Sequence, residues 1–205
     1  MTVVEGWFGD VEISQENFRK ECSSLNSDLK NLLVEQSSIN RTAYLIYKDS
    51  KGIDLDKPLS IGNKTEGALM NMVIDWGFDV ETVKLNLYHD TVDKLFPFDS
   101  DKKRSTVVLH KSDGTVRLYC KGASEWLLKD CTHYTNQQGI STVMNEDMKN
   151  KLESKINSMA VRALRTLMLC HVDFKCKEDL PVDWETSVPD DKNLCCDCVV
   201  GIIGE

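Results

Sequence analysis

The sequence predicts an α+β chain, and three observations carry that prediction. Residues 105–110 and 116–120 are runs rich in β-branched and aromatic side chains. The Asp113-Gly114 pair between them suits a tight hairpin turn with positive φ. Met148, Leu152, Ile156 and Met159 recur at three to four residues, the spacing of a helix that buries one stripe. Residues 164–174 are apolar and largely uninterrupted, as a central strand should be.

The other elements follow in order. Residues 1–8 read as a strand. Ser14 is placed to cap a helix carrying Phe18, Cys22 and Leu25, and Ser27 a second with Leu29, Leu32 and Leu33 on one side; both are expected to cover a sheet. Residues 41–47 alternate as a strand does, Asp49-Ser50-Lys51-Gly52 is a turn, and residues 54–58 are a polar link. A helix over 66–76 turns Leu69, Met72, Val73 and Trp76 inward, with Thr65 as its cap. Glu66 lies in its first turn, where a carboxylate complements the helix dipole. The Asn63-Lys64-Thr65 glycosylation signature is given no weight. Asp79 caps a short helix to about Leu87, and residues 91–98 return as a strand. Ser124 caps an apolar helix over 125–128. Residues 133–135 and 140–143 flank a polar turn at Gln138-Gly139. Asn145 opens the long helix, whose methionines read as core filling. Residues 175–193, with Pro181 and Pro189, form a surface excursion, and residues 199–203 a buried strand.

The chain has 205 residues, enough for one domain with a substantial core. Its formal charge of −8 argues against a nucleic-acid partner, although a locally basic site can still take an anion. No apolar run approaches the roughly 20 residues needed to span a bilayer, and no signal peptide opens the chain. A soluble piece without direct membrane contact is therefore expected. Of eight cysteines, three cluster as Cys195-Cys196-Asp197-Cys198. That run is too tight to supply several tetrahedral ligands, and no histidine is near it in sequence, so reduced thiols and no metal are expected. Four histidines are scattered singly, no Walker P-loop is present, and no nucleophile–base constellation is recognisable, so no catalytic residue is assigned.

The chemistry concentrates in residues 94–128. Phe96-Pro97-Phe98 is followed by the charged run Asp101-Lys102-Lys103-Arg104. After the hairpin, Lys121-Gly122-Ala123-Ser124 leads from a strand into a helix. An aromatic ring, two sets of cations and a backbone open to close approach suit a planar anionic ligand such as a nucleotide. A solvated surface hairpin with an ordinary turn is the other reading of the same residues.

The stretch PFDSDKKRSTV followed by CKGASE resembles the nucleotide-binding domain of P-type ATPases, with Lys121-Gly122-Ala123 as the KGA motif. Thr65-Glu66-Gly67-Ala68-Leu69 resembles the family's TExAL segment and Leu164-Arg165-Thr166-Leu167 its LRxL segment. Met1-Thr2-Val3-Val4 looks like the residues just after the DKTGTLT phosphorylation motif. Residues 199–204 resemble the strand that re-enters the phosphorylation domain. The resemblance covers the whole chain, and MAVRALRTLMLCHVDF and KGASEWLLKDC look most like plasma-membrane-type calcium pumps.

The resemblance implies a single nucleotide-binding domain over 1–205, a twisted antiparallel sheet of six or seven strands flanked by helices. The ends, about 1–8 and 199–205, would be hinge or phosphorylation-domain strands. It implies an ATP site made by Glu66, Phe98, Lys103, Lys121, Gly122, Ala123, Arg165 and Leu167. Phe98 would stack on the base, Glu66 face the adenine pocket, and Lys121 lie at its floor. Gly122 and Ala123 would let the backbone near the ring, Lys103 lie toward the phosphates, and Arg165 and Leu167 close over the nucleotide. ATP is the implied ligand, with Mg2+ in the full pump. The phosphorylation and actuator domains are the implied partners, at the cytosolic face of a plasma membrane or internal calcium-storing compartment. The phosphorylated aspartate is absent from the sequence, so this piece should bind nucleotide without hydrolysing it. Two departures stand out. Asp99 and Ser100 follow Phe98, where reticulum-type calcium pumps carry an arginine at the second position. Ala163 stands where close relatives often have glycine, so a locally different turn is expected. A non-catalytic interaction module of the same fold, or the corresponding domain of a pump for another cation, stays open.

Overall fold

The computed structural model of the chain describes residues 1–181, 183–189 and 192–204. Strand β1 (Thr2–Phe8) turns back through β2 (Val11–Ile13), followed by helices α1 (Phe18–Cys22) and α2 (Ser27–Ile39). Strands β3 (Tyr44–Lys48) and β4 (Asp54–Ile61) lead to α3 (Lys64–Asp75) and α4 (Val80–Leu87). Next come β5 (Lys94–Asp99), the hairpin β6 (Arg104–His110) and β7 (Val116–Ala123), and the one-turn helix α5 (Ser124–Leu127). Strands β8 (Cys131–Thr135) and β9 (Ser141–Val143) precede the long helix α6 (Glu146–Val161), then β10 (Arg165–Phe174) and β11 (Leu194–Ile203).

Among the described residues, nine strands form one sheet whose spine runs β2-β1-β11-β10-β7-β6-β5, and β3 with β4 forms a separate pair. The spine is antiparallel throughout. β8 departs from the expected all-antiparallel arrangement: it pairs parallel with β11 and carries β9 on its far edge. β11 is buried along almost its whole length because it has partners on both edges and helices over both faces. It also begins five residues earlier than the sequence pattern suggested, so the cysteine cluster lies within the strand.

Alternation of side chains across the spine separates two cores. On one face Leu29 and Leu33 of α2 and Leu69 and Met72 of α3 pack on Phe8, Leu167, Leu169 and Val200. On the other, Leu127 of α5 and Leu152, Ile156 and Met159 of α6 pack on Trp7, Met168, Cys170 and Val199. The three inward residues of α6 lie within the stripe that its periodicity marks. The β3–β4 pair sits beside α2 to α4, with Leu45 in a small cluster around Val73 and Val80.

Several local readings need correction. Asn26, not Ser27, caps α2, its Oδ1 accepting from the amides of Asp28 (2.8 Å) and Leu29 (3.3 Å). Ser14 precedes a short 3-10 turn and makes no capping bond. Asn63, not Thr65, caps α3, accepting from the amides of Thr65 (2.9 Å) and Glu66 (3.2 Å). Ser124 is the first residue of α5, and Ala123 stands at the cap position without a side-chain bond. In α2 and α3 an Asx residue one or two positions before the candidate hydroxyl reaches the free amides first. The 54–58 link is part of β4, because cross-strand pairing with β3 overrides its polarity. The 175–193 excursion is anchored: Leu180 is buried against Phe96, Val108 and Leu118, with Trp184 and Val188 beside it. Asp79 and Asn145 do cap α4 and α6. Among the described residues no helix is long and apolar enough to cross a membrane.

Candidate functional site

A pocket of about 530 Å³ opens where β5, β7 and β10 approach the N-terminus of α3. Its floor is a buried ion pair. The Lys121 Nζ lies 3.0 Å from Glu66 Oε1 and also donates to the Asn40 carbonyl (2.5 Å). The other carboxylate oxygen, Glu66 Oε2, accepts from the amides of Thr42 and Ala43, both at 2.9 Å. Burial alone would raise the Glu66 carboxyl, but Lys121 and the Ala43 amide outweigh it and hold Glu66 below its ordinary value. Burial draws Lys121 below its ordinary value, against the opposing pull of Glu66. The loop holding these amides is itself fixed. Arg41 donates to the carbonyls of Ser38 and Ala43 and pairs with Glu81 at 3.0 Å. The Asn40 side chain reaches the carbonyls of Ser105 and Tyr119, both at 3.3 Å.

One wall is Phe98, 51% exposed. It follows Pro97 in the stretch where β5 loses register with β6, between Phe96 and Asp99. Pro97 has no amide to give a ladder, and β5 is the spine's terminal strand, so the ring projects away from the sheet. An exposed phenylalanine over a cavity is not a core residue. The following loop is closed by Asp99, whose Oδ1 accepts from the amides of Asp101 (2.7 Å) and Lys102 (3.0 Å). These bonds hold the Asp99 carboxyl below its usual range. Lys103 emerges with φ +55° and lines the pocket, and its carbonyl accepts from the Ala123 amide at 3.1 Å. Opposite, Arg165 donates to Thr65 Oγ1 at 3.1 Å, and Leu167 supplies apolar surface.

The structure therefore gathers Glu66, Phe98, Lys103, Lys121, Ala123, Arg165 and Leu167 around one cavity. Gly122 is not among its lining residues. Gly122 pairs with Arg104 across the hairpin, and a Cβ there would overlap the Lys103 carbonyl oxygen and crowd the Arg104 backbone. Its lack of a side chain allows the close approach of β6. Asn63, Thr65, Glu125 and Thr166 also line the pocket and were not among the expected site residues. Asn63 carries a readable signal, an Asx residue before a helix; Thr166 and Glu125 carry none beyond adjacency to the motifs.

His171, Cys195 and Asp197, buried, bring ligand atoms within 4.8 Å of one another. A register shift between β10 and β11 creates this neighbourhood, which sequence spacing could not reveal. Asp197 is already engaged by His171 Nδ1 (2.8 Å), Gln36 Nε2 (3.0 Å) and Thr135 Oγ1 (2.5 Å). Burial and the Asp197 charge push the Cys195 thiol up to about 12. The cluster reads as a hydrogen-bonded polar core.

The family model described as P-type ATPase, cytoplasmic domain N, matches residues 28–204. The chain belongs to the P-type ATPase cytoplasmic domain N family. It is 34% identical over 205 residues to the human protein named plasma membrane calcium-transporting ATPase 3, covering 98% of this chain and 16% of that protein. It is 32% identical to plasma membrane calcium-transporting ATPase 2 of Oreochromis mossambicus, covering 98% of the chain and 18% of the relative. It is 31% identical to calcium-transporting ATPase 10, plasma membrane-type, of Arabidopsis thaliana, again covering 98% and 18%. The chain thus spans less than a fifth of the length of these relatives. The α+β sheet flanked by helices is the architecture expected of a domain N.

Proposed function

We propose that the chain binds ATP in this pocket and presents it to the phosphorylation domain of a calcium-transporting P-type ATPase. The observation that carries the reading is Phe98, half-exposed over a cavity whose sides bear Lys103 and Arg165. A solvent-facing aromatic ring beside cations suits a base with a phosphate tail. The names of the relatives support calcium as the transported ion, and with it a place at the cytosolic face of a plasma membrane or internal calcium store. Magnesium belongs to the full pump: both Glu66 oxygens are engaged, leaving Glu125 as the other carboxylate in the described lining. The actuator and phosphorylation domains are the partners in this reading. β1 and β11, paired from Thr2–Ile203, would form the hinge that lets the domain close on the phosphorylation site.

The chain alone should bind without turnover, since its sequence offers no phosphorylatable aspartate in a DKTGT setting. Displacement of a fluorescent ATP analogue by ATP, with phosphate release measured in the same sample, tests this. Saturable displacement with phosphate at the buffer blank is expected. No displacement would favour a non-catalytic interaction module, and steady release surviving repurification would contradict the division of labour.

A further inference from the structure

Sulfur concentrates in the core under α5 and α6, on the face of the sheet away from the nucleotide pocket. Along β10, Leu167 lines that pocket and packs in the core under α2 and α3, while Met168 and Cys170 turn to the other face. Cys170 stands directly opposite Cys120 of β7 and Cys196 of β11. Cys131, the first residue of β8, closes the group. Its Sγ lies 3.7 Å from Cys170 Sγ and 3.8 Å from Met168 Sδ. Sequence spacing argues against several metal ligands from residues 195–198 alone, but these three sulfurs come from two strands that only folding brings together.

The separations are those of a coordination site. Sulfurs bound at about 2.3 Å to one ion, at tetrahedral angles, lie about 3.8 Å apart. Hydrogen bonding accounts for the cluster less well. The Cys131 thiol has one proton, yet the Leu127 carbonyl at 3.3 Å and two sulfurs stand within its reach. Met168 Sδ has no proton to give. Ligand chemistry selects the ion: zinc takes thiolate, imidazole and carboxylate, whereas a thioether beside thiols suits Cu+. Charge agrees. Met168 and Cys170 are 0% exposed and Cys131 9%, so a net charge here is costly, and entry is at Cys131. One thiolate, with the Met168 thioether and the Cys170 sulfur as neutral donors, makes a site of zero net charge around Cu+.

We propose that Cys131, Met168 and Cys170 bind one soft monovalent metal ion of the Cu+ class, independently of the nucleotide pocket. The step is an exchange. The Cys131 S–H bond breaks, an S–Cu bond forms, and the proton leaves to solvent. Copper enters and stays as Cu+, so no electron is transferred. Burial holds the Cys170 thiol well above its ordinary range, so Cys170 keeps its proton.

The test titrates the reduced, intact chain with Cu+ under argon, in competition with a chromogenic Cu+ chelator. It reads the copper retained after desalting and the protons released. Wild type is compared with Cys131→Ala, Met168→Leu and Cys195→Ala; the last probes the His171, Cys195 and Asp197 group, where ligand atoms also converge. One retained Cu+ and one released proton per wild-type chain are expected. Affinity should fall at least about tenfold in Cys131→Ala and Met168→Leu, and stay unchanged in Cys195→Ala. Met168→Leu conserves volume, and urea unfolding separates a lost ligand from a damaged core: Cu+ should raise the midpoint of wild type and Cys195→Ala but not of Met168→Leu. The proposal is overturned if the chelator strips the wild type completely, if Cys131→Ala and Met168→Leu hold copper as wild type does, or if Cys195→Ala alone abolishes binding. The last result would place the ion beside His171 and Asp197.

Discussion

At the scale of single residues, the pocket depends on groups that a ligand need not touch. Gly122 lets the Lys103 carbonyl approach β7 and accept the Ala123 amide. Gly122→Ala should overpack this contact, cost roughly 1–3 kcal/mol of stability, and weaken nucleotide binding by moving Lys103. Urea unfolding with ATP titration checks both; unchanged values would mean that the approach is not tight. Lys121 and Glu66 are similarly structural. Lys121→Met leaves the Glu66 carboxylate buried without its cation and should cost about 3–5 kcal/mol, more than an exposed lysine would. The pH dependence has a definite sign. Glu66 is held below its ordinary 4.5, so its contribution is fully present above that pH and is lost as pH falls through the lower folded value. The stability gap between wild type and Glu66→Gln should therefore narrow on acidification below pH 4.5, seen by urea unfolding at stepped pH. A gap that widened in acid would contradict the ionised pair.

At the scale of elements, the end of α6 shows what a motif costs when its residue is not the preferred one. The Leu164 amide bonds back to the Met159 carbonyl at 3.1 Å and the Ala163 amide to that of Ala160 at 2.9 Å, a Schellman ending. Its left-handed position is Ala163, with φ +59°. The alanine in the sequence suggested a locally different turn, but the turn is kept and the strain accepted, because Leu164 must enter the core with Met159. Ala163→Gly should stabilise the chain by roughly 1 kcal/mol, read as a higher urea midpoint at unchanged slope. No gain would mean that the glycine's added unfolded-state freedom cancels the relieved strain. Elsewhere, elements were legible where one local signal dominated. The α6 stripe and the Asp113-Gly114 hairpin needed only periodicity and a turn. β4 was not legible, since a polar strand is recognised by its partner and not by its own residues. β11 was legible only in its apolar half, since the cysteines and Asp197 became strand through pairing with β10 and β8.

At the scale of the whole molecule, the candidate site assembles segments far apart in the chain. Helix α3, strand β5, the KGA end of β7 and the start of β10 meet because β7 lies between β6 and β10 in the sheet. Residue chemistry in sequence suggested a planar anionic ligand near Phe98 and Lys121, and family resemblance drew in Glu66 and Arg165. The loop around Asn40 and Arg41, which holds the Glu66–Lys121 floor, was not legible at all. Its bonds reach Glu66 of α3 across 23 and 24 residues of sequence and Ser105 of β6 and Lys121 of β7 across 65 and 81, and nothing local announces them. The resulting pocket has an aromatic wall, an apolar side at Leu167 and a neutralised floor. Its uncommitted charge is confined to the rim.

Under the proposed function that distribution predicts the base as the anchor, and calorimetric titration with AMP, ADP and ATP tests it most directly. Stacking on an aromatic ring is worth roughly 1–3 kcal/mol, whereas exposed cations such as Lys103 add less and are screened by salt. The three nucleotides should bind the wild-type chain within about tenfold of one another, a spread of about 1.4 kcal/mol, with little need for magnesium. Phe98→Ala should weaken all three together, and Lys103→Ala chiefly the di- and triphosphate. ATP binding about a hundredfold tighter than AMP, or Phe98→Ala leaving affinity unchanged, would contradict a base-anchored site.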